Sequence, residues 1–238
     1  MKNTILSLLV AVGLIGSASA QTTLFQDDFS GTSVDATKWD VTNLGGGYIT
    51  QGGGVLNFNH PNFWDGVFIT TKADFTTPYK IVGSFLPDPD YPITAITLRA
   101  SGAYGGYYND PYGITVGFFG GTSVSVYYQT PVIYQSLVNV DTSFNVNSNN
   151  TFSIYDYGDS ISLLLNDNLI IDRVAASPTI SYGNKVVFTD SDNGNFSGLI
   201  DKSSIGPVTI TSVPEPSTYA LFGIGAIALI VTYRRKVA

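Results

Sequence analysis

Short runs of alternating apolar and polar residues recur along most of the chain. Val55–Asn59, Thr94–Arg99, Ser123–Tyr128 and Phe152–Tyr155 each follow the pattern, and Ile161–Leu165, Leu169–Ile171, Lys185–Thr189 and Pro207–Thr211 are further apolar-rich runs. A period of two places every second side chain on one face of a strand. Clusters of Asn, Asp, Gly and Pro separate the runs and mark turns. Many short strands at a spacing of about ten residues predict an all-β sandwich or jelly roll. Ile161–Leu165 and Leu169–Asp172, joined by Asn166-Asp167-Asn168, predict a hairpin with a short turn. No long amphipathic helix precedes the last 25 residues, and no fixed-period repeat suggests a solenoid or propeller.

The pattern changes at both ends. Lys2 is followed by an apolar run, Ile5–Ile15, and by the small residues Ala18-Ser19-Ala20. This order predicts a secretory signal peptide over residues 1–20 and a mature chain starting at Gln21. At the other end, Val213-Pro214-Glu215-Pro216 leads into the apolar run Tyr219–Val231, which Arg234-Arg235-Lys236 closes. Those 13 residues would span about 20 Å as a helix, short of the roughly 30 Å of a bilayer core. Basic flanks stay in the cytoplasm, so a single transmembrane helix over about 218–233 would leave everything before it outside. The chain therefore divides into 1–20, a β-sandwich domain over 21–212 and a tail over 213–238.

The tail resembles the PEP-CTERM sorting signal of Gram-negative bacteria, in which a Pro-Glu-Pro motif, a short apolar helix and a basic stop occur in that order. The motif residues are Pro214, Glu215 and Pro216, and the stop is Arg234, Arg235 and Lys236. The resemblance implies handling by an exosortase, a membrane transpeptidase-like enzyme that cleaves near the motif. It implies membrane passage before processing, then the cell surface or extracellular matrix, in the company of exopolysaccharide and biofilm. A second resemblance spans most of residues 24–211. Leu24-Phe-Gln-Asp-Asp-Phe-Ser-Gly, followed by Lys38-Trp39, is similar to the opening of concanavalin A-like jelly rolls, the architecture of lectins, laminarinases and laminin-G-like domains. Ser160–Ile171 resembles the late hairpin of that fold, and Gly198–Lys202 with the strand to Thr211 its closing strand.

Composition narrows the chemistry. Between Gln21 and Glu215 there are 17 Asp, one Glu and seven Lys or Arg, a net charge of −11. Such acidity argues against nucleic acid and anionic polysaccharide as electrostatic partners and suits divalent cations. There is no cysteine, so packing or ions must hold an exported domain together. Glu215 is the only Glu in the chain and belongs to the tail. Laminarinase-type enzymes place two Glu on one strand as nucleophile and acid/base, about 5 Å apart, and no such pair exists here. Asp88/Asp90, beside prolines, and Asp190/Asp192, in a Gly/Asn stretch, read as solvated loop acids. His60 is the only histidine. Without a nucleophile-elbow motif to partner it, it reads as a loop or strand-end residue rather than part of a Ser-His-Asp triad.

Two places suit sugar binding. Tyr104, Tyr107, Tyr108, Asn109, Asp110 and Tyr112 lie on a Gly-hinged segment, where rings can stack on a sugar face and polar tips can bond its hydroxyls. Trp64, with Asp65, forms a second spot. A covering loop over a sheet edge is the competing reading. For a structural calcium ion the candidate ligands are Asp190, Asp192 and Asn193 around Gly194, with Asp28 and Asp201 contributing. A polar hairpin turn is the alternative. No cofactor is required. The chain is expected to be an exported, non-catalytic surface protein sorted by an exosortase. A lectin-like carbohydrate-binding module is the alternative, and a glycan-degrading enzyme a more distant one.

Overall fold

The structure is a computed structural model and describes residues 21–60, 66–87, 93–104, 111–176, 183–191 and 201–213. The sorting motif, the apolar tail segment and the leader lie outside the described residues. The described residues form sixteen strands. They are β1 (Thr23–Asp27), β2 (Trp39–Leu44), β3 (Tyr48–Gly52), β4 (Val55–His60), β5 (Gly66–Thr71), β6 (Tyr79–Leu86), β7 (Ile93–Ala100) and β8 (Gly113–Phe119). The chain continues with β9 (Ser123–Gln129), β10 (Tyr134–Asp141), β11 (Asn150–Asp156), β12 (Ser160–Leu165), β13 (Asn168–Ala175), β14 (Lys185–Ser191), β15 (Asp201–Ile205) and β16 (Val208–Ser212). Among the described residues no helix is long and apolar enough to cross a membrane.

The strands form two antiparallel sheets. One has nine strands in the order β13-β12-β11-β6-β15-β4-β3, with β16 pairing β6 and β1. The other has seven, ordered β10-β9-β8-β7-β14-β5-β2. The two inner faces share one core, as an aligned sandwich requires. Phe85 of β6 meets Phe118 of β8 at 4.4 Å between ring centroids, with Phe152 of β11 beside both. Gly83 is needed there, because a Cβ would lie 2.6 Å from the Phe152 ring. Residues Thr23–Ser212 make up this compact unit. The all-β jelly-roll expectation is therefore met, and every alternating run named above falls inside a strand.

The predicted hairpin is β12–β13, with Asn166 and Asp167 as its two turn residues. Their φ values of 50° and 62° are the left-handed pair of a type I′ turn, which Asn and Asp adopt more readily than other side chains. Two polar latches join the sheets. Asp27 Oδ2 accepts the Trp39 indole N–H at 2.7 Å, and Oδ1 accepts the Phe29 backbone N–H at 3.0 Å. The Asp-Phe and Lys-Trp pieces of the opening motif thus meet as a structural clasp between β1 and β2. The second latch was not foreseen. Arg99 of β7 turns inward with φ at 52° and makes a bidentate ion pair with Asp156 of β11, Nε to Oδ2 at 2.8 Å and Nη2 to Oδ1. Tyr79, opposite Asp156 in β6, is buried beside them. Burial, and then the negative Asp156, push the Tyr79 hydroxyl well above its ordinary range. Burial is the largest influence on Arg99 and opposes its charge, but the hydrogen bond to Asp156 and the attraction of that carboxylate and other nearby groups together raise the Arg99 pKa.

Candidate functional site

The outer face of the seven-stranded sheet is built from the polar half of the alternation. On β5, β14, β7 and β8 the residues Val67, Ile69, Val186, Phe188, Ile96, Leu98, Ile114 and Val116 point into the core. Their neighbours Phe68, Thr70, Val187, Thr189, Ala95, Thr97 and Thr115 point out, yet they too are buried. The strand registers place Thr70, Val187, Thr97, Thr115 and Tyr127 in one row across the sheet. Thr97 and Thr115 share a hydroxyl hydrogen bond of 2.9 Å. Thr189 Oγ1 is buried without a partner.

Two exposed tyrosines flank this row, each backed by a buried ring. Tyr104, 43% exposed, packs edge-on against Phe68 at 5.1 Å. Tyr134, 51% exposed, lies against Tyr127 at 5.1 Å. The segment after β7 folds back over the face to bring Tyr104 there. Gly102, at φ 82°, approaches Thr70, and Tyr104 forms a β-bridge with Pro111 while the Tyr112 N–H donates to the Ala103 carbonyl at 2.9 Å. Of the predicted aromatic segment, Tyr104 and Tyr112 are thus placed. Tyr107, Tyr108, Asn109, Asp110 and Trp64 lie outside the described residues. Tyr134 was missed, although it closes the uncharged stretch Tyr127-Tyr128-Gln-Thr-Pro-Val-Ile-Tyr134.

The acids are dispersed. Asp190 is not the solvated loop acid expected from its neighbours. It is buried within β14, opposite Val67 and Thr94. Asp28 is exposed, and its Oδ1 accepts the Ser30 N–H at 3.0 Å. Bonds from Ser30 hold the Asp28 carboxyl below its ordinary value. Asp201 opens β15 opposite His60, which ends β4 as expected. Asp192 and Asn193 lie outside the described residues. Among the described residues no three His, Cys, Asp or Glu side chains converge as metal ligands would. Among the described residues no strand carries two carboxylates.

The end of the chain decides its handling. Residues 212–236 match the PEP-CTERM protein-sorting motif. The match takes in the Pro214-Glu215-Pro216 head, the apolar run and the basic stop, so the PEP-CTERM signal expected from the residues is present. No curated protein sequence matches the chain as a relative. Solved structures share its fold. A Bacillus subtilis protein of unknown function with a galectin-like fold aligns at a TM-score of 0.62, 10% identity, 81% of this chain and 98% of that one. LamAcat from Zobellia galactanivorans aligns at 0.57 and 15% identity over 79% of this chain and 97% of its own. A carbohydrate binding module from Bacillus subtilis aligns at 0.52 and 14% identity, covering 72% and 95% respectively. The chain therefore combines a jelly-roll β-sandwich with a PEP-CTERM sorting motif over residues 212–236.

Proposed function

We propose that this is an exosortase-sorted, non-catalytic surface protein of a Gram-negative bacterium that contacts extracellular polysaccharide through the outer face of its seven-stranded sheet. The observation that carries the reading is the distribution of carboxylates, strand by strand. Most glycosidases use two carboxyl groups facing one bond, about 5–5.5 Å apart for retention and about 6.5–9.5 Å for inversion. Among the described strands none carries more than one acid, and of the buried acids Asp27 holds the Trp39 indole, Asp156 holds the Arg99 guanidinium and Asp190 lies on the other sheet. The fold is shared with a carbohydrate binding module, so it can serve contact without chemistry. Tyr104 and Tyr134 supply exposed rings on rigid backing at this face, while the threonines between them are buried and serve to pack it. The sorting signal accounts for delivery through the membrane to the surface or matrix. No cofactor is needed, and a calcium ion near Asp190–Asn195 would be an addition to the site rather than its basis.

A glycan array probed with the chain purified in mild detergent tests this reading. Binding to a polysaccharide class, lost in Tyr104→Ala and Tyr134→Ala, supports it. Binding to no glycan overturns the contact, and release of reducing ends or unsaturated sugars from exopolysaccharide overturns the absence of catalysis.

A further inference from the structure

The edges of the two sheets are not alike. Exposed edges invite pairing with another chain unless charge, bulges or brevity protect them. β13 carries Asp172 and Arg173 and two register shifts. β2 holds Asp40, paired with Lys72 at 3.3 Å. β1 and β3 have five residues each. β10 differs from all of these. It has eight residues, Tyr134–Asp141, with a single charge at its last position, and it pairs only with β9 among the described strands. One register shift, at Leu137, is its sole irregularity. Tyr134, Gln135, Ser136 and Asn139 are exposed along it.

Charge points to the occupant. From Pro111 to Val140 the chain has no charged residue, in a mature domain of net charge −11. That stretch includes β10 up to Val140, so two copies meeting edge to edge at β10 bring together no charge before Asp141. The loop before β10 adds an apolar tip that is held in place. Thr130 Oγ1 accepts the N–H groups of Val132 and Ile133 at 3.1 and 2.8 Å, and Val132 is 87% exposed.

We infer that β10 pairs with β10 of a second copy, antiparallel about a two-fold axis perpendicular to the sheet. Centred between Leu137 and Val138, the pairing sets Ser136 opposite Asn139, Gln135 opposite Val140 and Tyr134 opposite Asp141, with no like charges facing. Such an axis joins the two seven-stranded sheets into one of fourteen with both outer faces on the same side. If those faces contact polysaccharide as proposed above, the dimer presents two sites to one polymer and binds it with avidity. The association itself stands without that reading.

Sedimentation velocity of the full chain in mild detergent, without glycan, tests it. The wild type is expected to form a reversible, concentration-dependent dimer. In Ser136→Asp/Asn139→Asp, like charges face each other twice, and the dimer dissociation constant is expected to rise at least about tenfold. Mixing Ser136→Asp with Asn139→Lys is expected to give a heterodimer tighter than either variant alone. The substituted side chains are exposed, and thermal melting reports that each variant is folded. A wild type that stays monomeric, or self-association unchanged in the double aspartate variant, overturns the inference, including association through the tail alone.

Discussion

The two outer faces of the sandwich use aromatic residues in opposite ways. On the nine-stranded sheet, Tyr155 and Tyr157 stack in parallel at 5.9 Å, with Lys80 over the Tyr155 ring at 4.8 Å and the Arg173 guanidinium over the Tyr157 ring at 3.3 Å. The faces of both rings are occupied by each other or by a cation, so nothing is left to stack on a ligand. On the seven-stranded sheet, Tyr104 and Tyr134 are each backed on one side by a buried ring and are exposed on the other. The first arrangement covers its rings, and the second leaves two rings exposed at a face whose central residues are buried. Counting tyrosines would not have separated them; what covers each ring does.

The comparison can be broken most severely by removing what holds the sheets in place. Asp156→Ala removes the carboxylate that balances the buried Arg99 guanidinium and should cost about 3–5 kcal/mol in chemical denaturation. A loss below about 1 kcal/mol would mean that the pair is not buried as described. The contrast between faces is sharpened by one pair of variants. Thr97→Lys on the seven-stranded sheet places a charge where the native side chain is fully buried, and should destabilise by several kcal/mol, about 3 or more. Val82→Lys on the exposed side of the nine-stranded sheet should change stability by no more than about 0.5 kcal/mol. Equal effects would erase the distinction. Arg173→Ala removes one end of the cation ladder and should cost only about 0.5–1 kcal/mol.

Alkaline pH gives a further, smaller effect. The folded Tyr79 hydroxyl is held above its unfolded value of about 10. Below that pH both states keep the proton and stability is unaffected. Above it the unfolded chain loses the proton first, so stability falls as pH rises further. Tyr79→Phe should flatten that fall in melting curves recorded across the range.

How much of this was legible depended on how local the physics was. The β12–β13 turn could be read because Asn166 and Asp167 tolerate positive φ. The strands of the inner core could be read because Phe152-Ser-Ile-Tyr and Ser123-Val-Ser-Val alternate. Arg99 could not, since it ends an alternating run as if it were solvent-facing and finds its partner 57 residues away. Asp190 misled for the converse reason: its neighbours Asp192, Asn193 and Gly194 carry turn chemistry, while the residue itself continues β14. Tyr134 was hidden because β10 is an edge strand with exposed residues on both sides and therefore little periodicity. Of the candidate site, the Tyr104 segment was visible from composition, but its position over the sheet depends on Phe68 and Thr70, which the sequence places far from it.

The central claim is that the exposed Tyr104 and Tyr134 rings, and not the covered Tyr155 ring, meet polysaccharide. Affinity electrophoresis of the folded chain in gels containing the producing organism's exopolysaccharide tests it directly, with Tyr104→Ala, Tyr134→Ala and Tyr155→Ala run beside the wild type. The account predicts retardation of the wild type and of Tyr155→Ala, and its loss in Tyr104→Ala and Tyr134→Ala. Retardation abolished by Tyr155→Ala but kept in the other two would contradict it.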